Sequence, residues 1–462
     1  MKKKIFALAV LLAIATSFQG CNLDRPVDNP PVEDMLKSTM PQVQYLLGFW
    51  TGSDMARYQL VWMQQKGGIR GSHLQVDRYN MNPSYLDGVW KYFYYNLYLN
   101  IQNMITQSNE IEAPAYRGIS RVMMAYSLGF MTDTWGDVPY DYGLSYFSNI
   151  YPQYDEQNQV YIYIFDLLQA GINDLNQAIA GTGAVPDGEA DWIYQGDLDK
   201  WRRAAYVIRM RHLLRMANIT GDYESILAGT PGNTFTGIQD DMLFYFDPSA
   251  NLVNPHYVYD TQIRNTRAGK FIVDKLKETN DPRLPVYIKK NDDDEYVGTA
   301  AGQGLVGASF LGLTIAAAGA PVPLITYTEQ KFIEAEVYYR NQLHELADQA
   351  FEEAVKSSLV FHNVSDPEWE AEHAEIENVS LEQIINAKYV ALFLQPEVWS
   401  DYRRTGYPQL TPYNAEENEE AEIPRRFVYP QEEQIFNSTN VPEGIDIYTR
   451  MWWDGGADEM QP

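Results

Sequence analysis

Cysteine is almost absent from this sequence of 462 residues, because Cys21 is the only one. A disulfide bond within the chain is therefore excluded. Long apolar runs are also lacking after the N-terminus, since residues 304–324, the best candidate, contain the glycines and prolines of a loop. With six histidines and a single cysteine, a transition-metal site is not expected. The sequence predicts no metal and no cofactor.

Catalytic signatures are missing as well. His344 and Glu345 begin a zinc-protease motif, but Asp348 stands where the second histidine is needed. There is no Gly-x-Ser-x-Gly elbow, and residues 291–295 (Asn-Asp-Asp-Asp-Glu) lack the glycine and the closing carboxylate of a calcium loop. We therefore predict that the protein is not an enzyme. The two catalytic carboxylates of a glycosidase have no fixed spacing along the sequence, so a surface glycoside hydrolase remains an alternative.

The N-terminus is typical of a secreted lipoprotein. Three lysines at positions 2–4 precede an apolar run over residues 5–15, which predicts a signal peptide over residues 1–20. Cys21 then follows a small residue, which indicates lipidation at this position. The proline and acid content after Cys21 predicts a flexible tether over residues 21–40, followed by a single domain over residues 41–462. Such a protein is anchored to a membrane without crossing it.

The composition favours binding of a ligand other than nucleic acid. The formal net charge is −27, and a strongly acidic surface repels phosphate backbones. The chain has 34 tyrosines against 18 phenylalanines, together with 10 tryptophans. Tyrosine and tryptophan combine an apolar ring with a polar group, which suits binding surfaces that are partly wet.

Apolar periodicity predicts a mainly helical protein. The clearest helix covers residues 156–180, where apolar side chains recur at spacings of three and four. Residues 326–339 and 343–355 predict a helix pair, because Ala347, Phe351 and Ala354 have the spacing of a tetratricopeptide helix. No segment alternates strongly enough to predict a large sheet. Further helices are predicted over residues 85–107, 115–131, 200–217, 268–278 and 381–395.

Three long segments without clear periodicity connect these helices. They cover residues 231–266, 286–325 and 406–462 and are rich in glycine, proline, asparagine and aspartate. Loops of this length on a rigid scaffold commonly carry binding residues. The sequence therefore predicts a helical scaffold with long loop-rich elaborations.

A series of short motifs then follows one order along the chain. They lie at 133–140 (Asp-Thr-Trp-Gly-Asp-Val-Pro-Tyr), 152–155, 191–201, 209–215, 280–285, 326–336, 397–408 and 423–433. The series resembles the signatures of SusD/RagB-like outer-membrane lipoproteins. The resemblance implies a mainly α-helical fold in which tetratricopeptide-like helix pairs form the scaffold. Physical reasoning assigns most of these motif residues to bracing: Asp133 and Asp137 cap or brace the turn after residue 134, and Arg403 and Arg404 donate to carbonyls at the bases of loops.

The resemblance also implies a function. Such a protein is lipid-anchored at the bacterial outer membrane, faces the cell exterior, and captures an oligosaccharide or similar nutrient for a SusC-like TonB-dependent transporter. Peptide capture is the alternative within the same class. A surface glycoside hydrolase and a structural adhesin are the alternatives from other classes.

The family's ligand contacts lie in variable loops, so the motifs carry no binding residue across. From the residues alone we predict a ligand surface made by residues 58–85 together with residues 255–265. Flat rings there cover the apolar face of a sugar, and forked or amide donors bind its hydroxyls. The candidate ligand-binding residues are Trp62, Arg70, His73, Tyr79, Tyr85, His256, Tyr257, Tyr259 and Arg264.

Overall fold

The computed structural model describes residues 30–141 and 151–455. The predicted signal peptide, Cys21 and the tether up to residue 29 lie outside the described residues. Within the described ranges, no helix is both long enough and apolar enough to cross a bilayer.

The described chain begins with a helix that the sequence analysis missed. Helix α1 (Val32–Gly52) starts inside the predicted tether, and α2 (Asp54–Trp62) follows it. Leu36 and Met40 are completely buried, so the prediction of a flexible tether is wrong for residues 32–40. Pro41 lies inside α1, and the sequence therefore did not predict a helix here, because proline removes a backbone hydrogen-bond donor. Burial of the apolar side chains at spacings of three and four outweighs that loss.

The remaining helices confirm that the protein is mainly α-helical. A π-helical segment at Tyr92–Tyr98 joins α4 (Asp87–Lys91) to α5 (Leu99–Glu110), so the predicted helix over residues 85–107 is one continuous rod with a widened turn. The other helices are α3 (Gly71–Asp77), α6 (Pro114–Trp135), α7 (Gln157–Ile179), α8 (Leu198–Thr220), α9 (Pro255–Tyr257), α10 (Lys270–Glu278), α11 (Leu284–Tyr287), α12 (Tyr327–Arg340), α13 (His344–Phe361), α14 (Pro367–His373), α15 (Leu381–Ala391), α16 (Glu397–Thr405) and α17 (Gln431–Phe436).

Two small antiparallel sheets complete the architecture. Strand β1 (Lys66–Gly68) pairs with β3 (Thr266–Ala268), and β2 (Met242–Phe244) pairs with β4 (Val322–Ile325). Each sheet has two strands, which agrees with the prediction that no large sheet is present among these residues. The β1–β3 pair joins the two segments of the predicted ligand surface.

Helices α6 and α7 pack closely because glycines face each other. A Cβ on Gly118 would lie 2.8 Å from Leu175 Cγ and 3.0 Å from the Gly171 carbonyl oxygen. Only a residue without a side chain allows this approach. The predicted helix over residues 156–180 is therefore confirmed as α7, with its apolar face against α6.

Helices α12 and α13 form the predicted tetratricopeptide-like pair. Ala347 and Ala354 are fully buried on α13, and Phe351 lies edge-on to Phe332 of α12 with 6.2 Å between ring centres. The Thr326 side chain caps α12 by accepting a hydrogen bond from the Glu329 backbone N–H. Small alanines let the two helices approach, as the spacing predicted.

A buried network of arginines and carboxylates joins the helices at the motif residues. Arg211 on α8 donates to both carboxylate oxygens of Glu329 on α12 at 2.6 Å. Arg215, one turn further along, contacts Asp133 and Glu397. Arg404 on α16 donates to both oxygens of Glu336, and Arg403 donates to the carbonyls of Asp133 and Arg425.

These contacts agree with the bracing role that was assigned to the motif residues. Asp133 also accepts hydrogen bonds from Tyr161 and Trp453, and the Asp137 carboxylate accepts from the backbone N–H of Gln157 at the start of α7. In one detail the prediction was wrong. Arg404 binds carboxylates of Glu336 and Asp401 rather than loop carbonyls. The motifs therefore hold helices together from within.

Candidate functional site

The structure brings the two predicted ligand-binding segments together. In the β1–β3 pair Lys66 lies opposite Ala268 and Gly68 lies opposite Thr266. The pairing continues one step further, because the Ile69 backbone N–H donates to the Asn265 carbonyl at 3.0 Å. Two segments almost 200 residues apart in sequence, residues 58–85 and 255–265, thus form one continuous surface, which we call the β1–β3 face. Only some of the predicted side chains are exposed on it.

Trp62 does not belong to that face, so its prediction as a ligand contact is wrong. Its side chain is 1% exposed, and its indole N–H donates to the Val76 carbonyl at 2.9 Å. Its ring packs against Trp399 and Phe427 with centres 5.3 and 5.2 Å away. The ring is therefore core packing between α2 and α16.

His73 and His256 are also buried, so the prediction that they contact ligand on this face is wrong for both, and His256 instead lines a different cleft beside Leu243 and Phe361. His73 Nδ1 lies 2.7 Å from the Asn265 side-chain nitrogen, so it ties α3 to the other segment. Burial lowers the pKa of each imidazole well below its usual value, and the nearby charges of Arg57 and Lys66 lower it further. Both rings are neutral supports beneath the face.

Arg70 and Arg264 are exposed on the face. Arg70 donates to the Ile263 carbonyl at 2.5 Å. Arg264 lies over the Phe310 ring at 4.8 Å, and Arg267 lies over the same ring at 3.7 Å. Phe310 is half-buried. We call Arg70, Arg264, Arg267 and Phe310 the arginine patch.

The tyrosines of the predicted surface are half-buried. Tyr259 lies beneath the Arg57 guanidinium, which is 2.9 Å from its ring centre. Tyr85 packs against the main core, while Tyr257 lies on the short helix α9. Tyr79 is different, because it lines a cleft.

This cleft, which we call the tyrosine cleft, has a volume of about 550 Å³. The phenol oxygen of Tyr79 accepts a hydrogen bond from the Tyr413 backbone N–H at 3.0 Å, and the two rings meet edge to face. Burial raises the pKa of the Tyr79 and Tyr448 phenols, so both are neutral and able to donate. The lining residues are Arg78, Tyr79, Tyr413, Asn414, Glu417, Asn418, Glu420, Ala421, Glu422 and Tyr448.

The loop around Tyr413 has a second cleft on its other side. That cleft has a volume of about 560 Å³ and includes Lys270, Phe271 and Thr411. Tyr413, Asn414 and Glu417 line both clefts. The loop over residues 411–417 is therefore a partition between two open spaces.

Sequence reasoning missed Arg78, Tyr413 and Tyr448, and it also missed Phe310 and Arg267. The long segments over residues 286–325 and 406–462 were predicted to carry binding residues, and Phe310, Tyr413 and Tyr448 lie in them. No residue within those segments could be selected, because their side chains have no periodic pattern. Arg78 precedes a selected residue, Tyr79, and its own position carried no signal.

The chain matches a family model over residues 34–430. The family is described as SusD-like, starch-binding and associating with the outer membrane. No curated protein matches the chain at a significant level. The match covers most of the chain and includes the motif series up to residue 430.

Solved structures of similar fold cover 91% of this chain. A protein described as chitin-binding has a TM-score of 0.78 at 22% identity, with 99% of its own chain covered. A chitin-binding SusD homolog from Flavobacterium johnsoniae has a TM-score of 0.77 at 21% identity, with 98% covered. A SusD/RagB family protein from Bacteroides thetaiotaomicron has a TM-score of 0.74 at 21% identity, with 99% covered. With a family model matching residues 34–430 and this fold, the chain belongs to the SusD-like family.

Proposed function

We propose that the protein captures an oligosaccharide at the cell surface and delivers it to a SusC-like TonB-dependent transporter. In this proposal Cys21 carries the lipid that anchors the protein to the outer membrane, with the folded body facing the cell exterior. The protein binds its ligand without cleaving it. Tethering beside a transporter raises the local concentration of the ligand, which requires no chemistry by the binder.

The observation that carries the proposal is the tyrosine cleft. Three tyrosines, one arginine and two asparagines surround an open volume of about 550 Å³. Rings provide apolar surface for the faces of sugars, while the guanidinium and amides donate to hydroxyls and the glutamates accept from them. Membership of a family described as starch-binding supports the same ligand class, as do the fold relatives described as chitin-binding.

A glycan panel tests the ligand class. Protein lacking residues 1–21 is applied to oligosaccharides of starch, chitin and plant cell-wall polysaccharides, and the strongest ligand is titrated by calorimetry. We expect Tyr448→Ala to weaken binding by about 1–3 kcal/mol, the size of an aromatic hot spot. Its thermal midpoint should stay close to that of the parent, because the side chain is 41% exposed.

Tyr245→Ala is the matched control, since Tyr245 is exposed but lines a different cleft beside Leu243 and Phe361. Equal affinity of Tyr448→Ala and the parent would contradict the location of the site. If the protein bound no glycan but did bind short peptides, its function would be peptide capture.

A second measurement separates binding from hydrolysis. The bound oligosaccharide is incubated with the protein, and reducing ends are counted against a heat-killed sample. We expect no increase, because the sequence contains no recognised catalytic motif. A steady release of reducing ends would favour the glycoside hydrolase.

Anchoring is tested at Cys21. Cells expressing the full chain are labelled with a palmitate analogue, and we expect label on the parent but none on Cys21→Ala. The variant should still fold, because the described core begins only with α1. Label that persists in Cys21→Ala would contradict lipidation at this residue.

Delivery to a transporter is tested by copurification. The anchored protein is extracted from outer membranes in mild detergent, and we expect a TonB-dependent transporter to accompany it. A gene for such a transporter beside the gene for this protein would favour capture. Absence of both the gene and the copurified transporter would favour the adhesin.

A further inference from the structure

The arginine patch is unusual on a chain that has 62 acidic and 35 basic residues. Arg70 lies before α3, while Arg264 and Arg267 flank the start of β3. Strand pairing between β1 and β3 places Arg70 and Arg264 beyond the same end of the small sheet, with Arg267 opposite Gly67 within it. An acidic protein thus concentrates positive charge on one face.

The guanidinium groups of the patch are not neutralised by carboxylates at close range. Within residues 30–141 and 151–455, none of the three forms an ion pair. Arg70 donates to the Ile263 carbonyl, and Arg267 donates to the carbonyls of Val306 and Thr266 at 3.2 and 2.7 Å. An arginine has five N–H donors, so the exposed Arg70 and Arg264 keep donors for a ligand, whereas Arg267 is 4% exposed and lies beneath the surface.

Phe310 fixes the orientation of two of these groups. The guanidinium carbons of Arg264 and Arg267 lie 4.8 and 3.7 Å from the centre of its ring. Phe310 is half-buried and does not belong to the hydrophobic clusters of the core. Stacking on a ring leaves the edge of a guanidinium free, and this edge is the part that binds carboxylate or sulfate with two hydrogen bonds.

The three arginines are close enough to influence one another. The pKa of Arg267 is lowered, chiefly because burial removes solvent and additionally because Arg264 and Arg70 repel its charge. Asp260 and Asp292 act in the opposite direction but do not restore its ordinary value. An anion placed between these groups would relieve the repulsion.

We infer that the oligosaccharide captured by this protein carries negative charge, as a carboxylate or a sulfate ester, and that the exposed Arg70 and Arg264 bind that charged group, while the buried Arg267 adds positive charge beneath them. This inference rests on the proposed function and narrows its ligand to acidic glycans. Neutral sugars need no such cluster, because hydroxyl groups are satisfied by the amides and phenols of the tyrosine cleft.

One loop connects the patch to the tyrosine cleft. The Gly302 carbonyl accepts a hydrogen bond from Arg78 at 2.9 Å, and a Cβ on Gly302 would collide with the Tyr413 ring. Eight residues later the same loop presents Phe310 to the patch. Eight residues span at most about 28 Å, so one oligosaccharide chain could contact both places.

The inference is tested with short oligosaccharides of defined charge. The probes are galacturonate oligosaccharides for carboxylate, chondroitin sulfate oligosaccharides for sulfate, and maltose and chitin oligosaccharides as neutral references. The parent is compared by calorimetry with Arg70→Gln, Arg264→Gln and the double variant. Arg209→Gln on α8 is the control, because it removes the same charge outside the patch.

We expect an acidic probe to bind the parent more tightly than either neutral probe. The two single variants should bind it about tenfold to a hundredfold more weakly, the value of a charge-assisted hydrogen bond, while Arg209→Gln should stay within about twofold. Thermal midpoints of all variants should match the parent, because Arg70 and Arg264 are exposed. The stronger of the two acidic probes identifies the charged group.

Three results would overturn the inference. Tight binding of a neutral probe alone would leave the proposed function standing but exclude an acidic ligand. Equal weakening by Arg209→Gln and the patch variants would show that only the net charge matters. Binding of none of the probes, nor of any member of the wider glycan panel, would reject the inference together with the proposed function.

Discussion

Arginines of the helical interior and arginines of the β1–β3 face differ in their partners. In the interior, Arg211 and Arg404 each donate hydrogen bonds to both carboxylate oxygens of a buried glutamate. On the face, Arg70 donates to a backbone carbonyl and Arg264 lies over an aromatic ring. A buried charge needs an opposite charge or hydrogen-bond partners within the protein, whereas an exposed charge is solvated by water and remains available to a ligand. The same residue type therefore braces the fold in one region and, in the proposed function, binds ligand in the other.

The largest expected effect comes from breaking an interior pair. Arg404→Ala removes the bidentate partner of Glu336 and one of the two cationic partners of Asp401, so Arg340 and Lys388 alone must balance these buried charges. The free energy of unfolding should fall by about 3–5 kcal/mol, measured by urea denaturation. Arg264→Ala should change it by less than about 0.5 kcal/mol. Similar losses in both variants would erase the distinction between the two regions.

Trp62→Ala should destabilise the protein nearly as much. The substitution empties the space between Trp399 and Phe427, and loss of a buried aromatic costs about 3–5 kcal/mol. Under conditions in which the variant is fully folded, its affinity for ligand should equal that of the parent, because the Trp62 ring is not exposed on the β1–β3 face. Weaker ligand binding with unaltered stability would restore Trp62 as a contact.

Asp77 gives a pH-dependent effect at the boundary of the two regions. Its carboxylate accepts from the Gly68 backbone N–H at 2.9 Å, and burial raises its pKa to about 8. The folded protein favours the protonated form of Asp77. The resulting contribution to the free energy of unfolding is complete below the unfolded-state pKa of roughly 3.9, and it is lost as the pH rises through the folded-state pKa of about 8.

Denaturation of the parent and of Asp77→Asn at pH 5 and pH 8 checks this effect. Between these values the parent should lose at least about 1.4 kcal/mol more than Asp77→Asn, which has no charge to form at this position. The slope is compared rather than the absolute stability, since asparagine also changes the hydrogen bond to β1. Equal slopes would show that Asp77 keeps an ordinary pKa.

Tyr79→Phe should produce the smallest effect. It removes the oxygen that accepts from the Tyr413 backbone N–H but keeps the ring in the tyrosine cleft. We expect a loss of stability of about 1 kcal/mol, measured by thermal denaturation. Tyr85→Phe is the matched control, because Tyr85 is half-buried outside this cleft. An equal loss in both would mean that the bond to the Tyr413 loop contributes nothing.

Local patterns predicted the scaffold well where packing follows periodicity. The period of α7 and the alanine spacing of α13 each reflect one apolar face, which is visible in a single segment. Helix α1 shows the limit, because Pro41 and two glycines lower its helical propensity while its burial depends on distant elements. The pairing of Arg211 with Glu329 spans 118 residues, so no local pattern specifies it.

The candidate site was harder to predict for a related reason. Tryptophan and histidine between glycines look the same whether the fold turns them inward or outward, and Trp62 and His73 turn inward. Tyr413 and Tyr448 gained their place only when the segment after α16 packed beside Arg78 and Tyr79, which follow α3. The meeting of the two chosen segments was anticipated from composition, but the exposure of each side chain depends on tertiary contacts.

The most direct test of the central claim is hydrogen–deuterium exchange with and without the strongest oligosaccharide of the glycan panel. Peptides covering residues 69–80 and 411–422 should exchange more slowly when the ligand is bound, as should residues 302–310. Peptides of α8 and α16, which carry the interior arginines, should show no change. Protection confined to the cleft around Tyr245, with none at residues 69–80 or 411–422, would contradict the account.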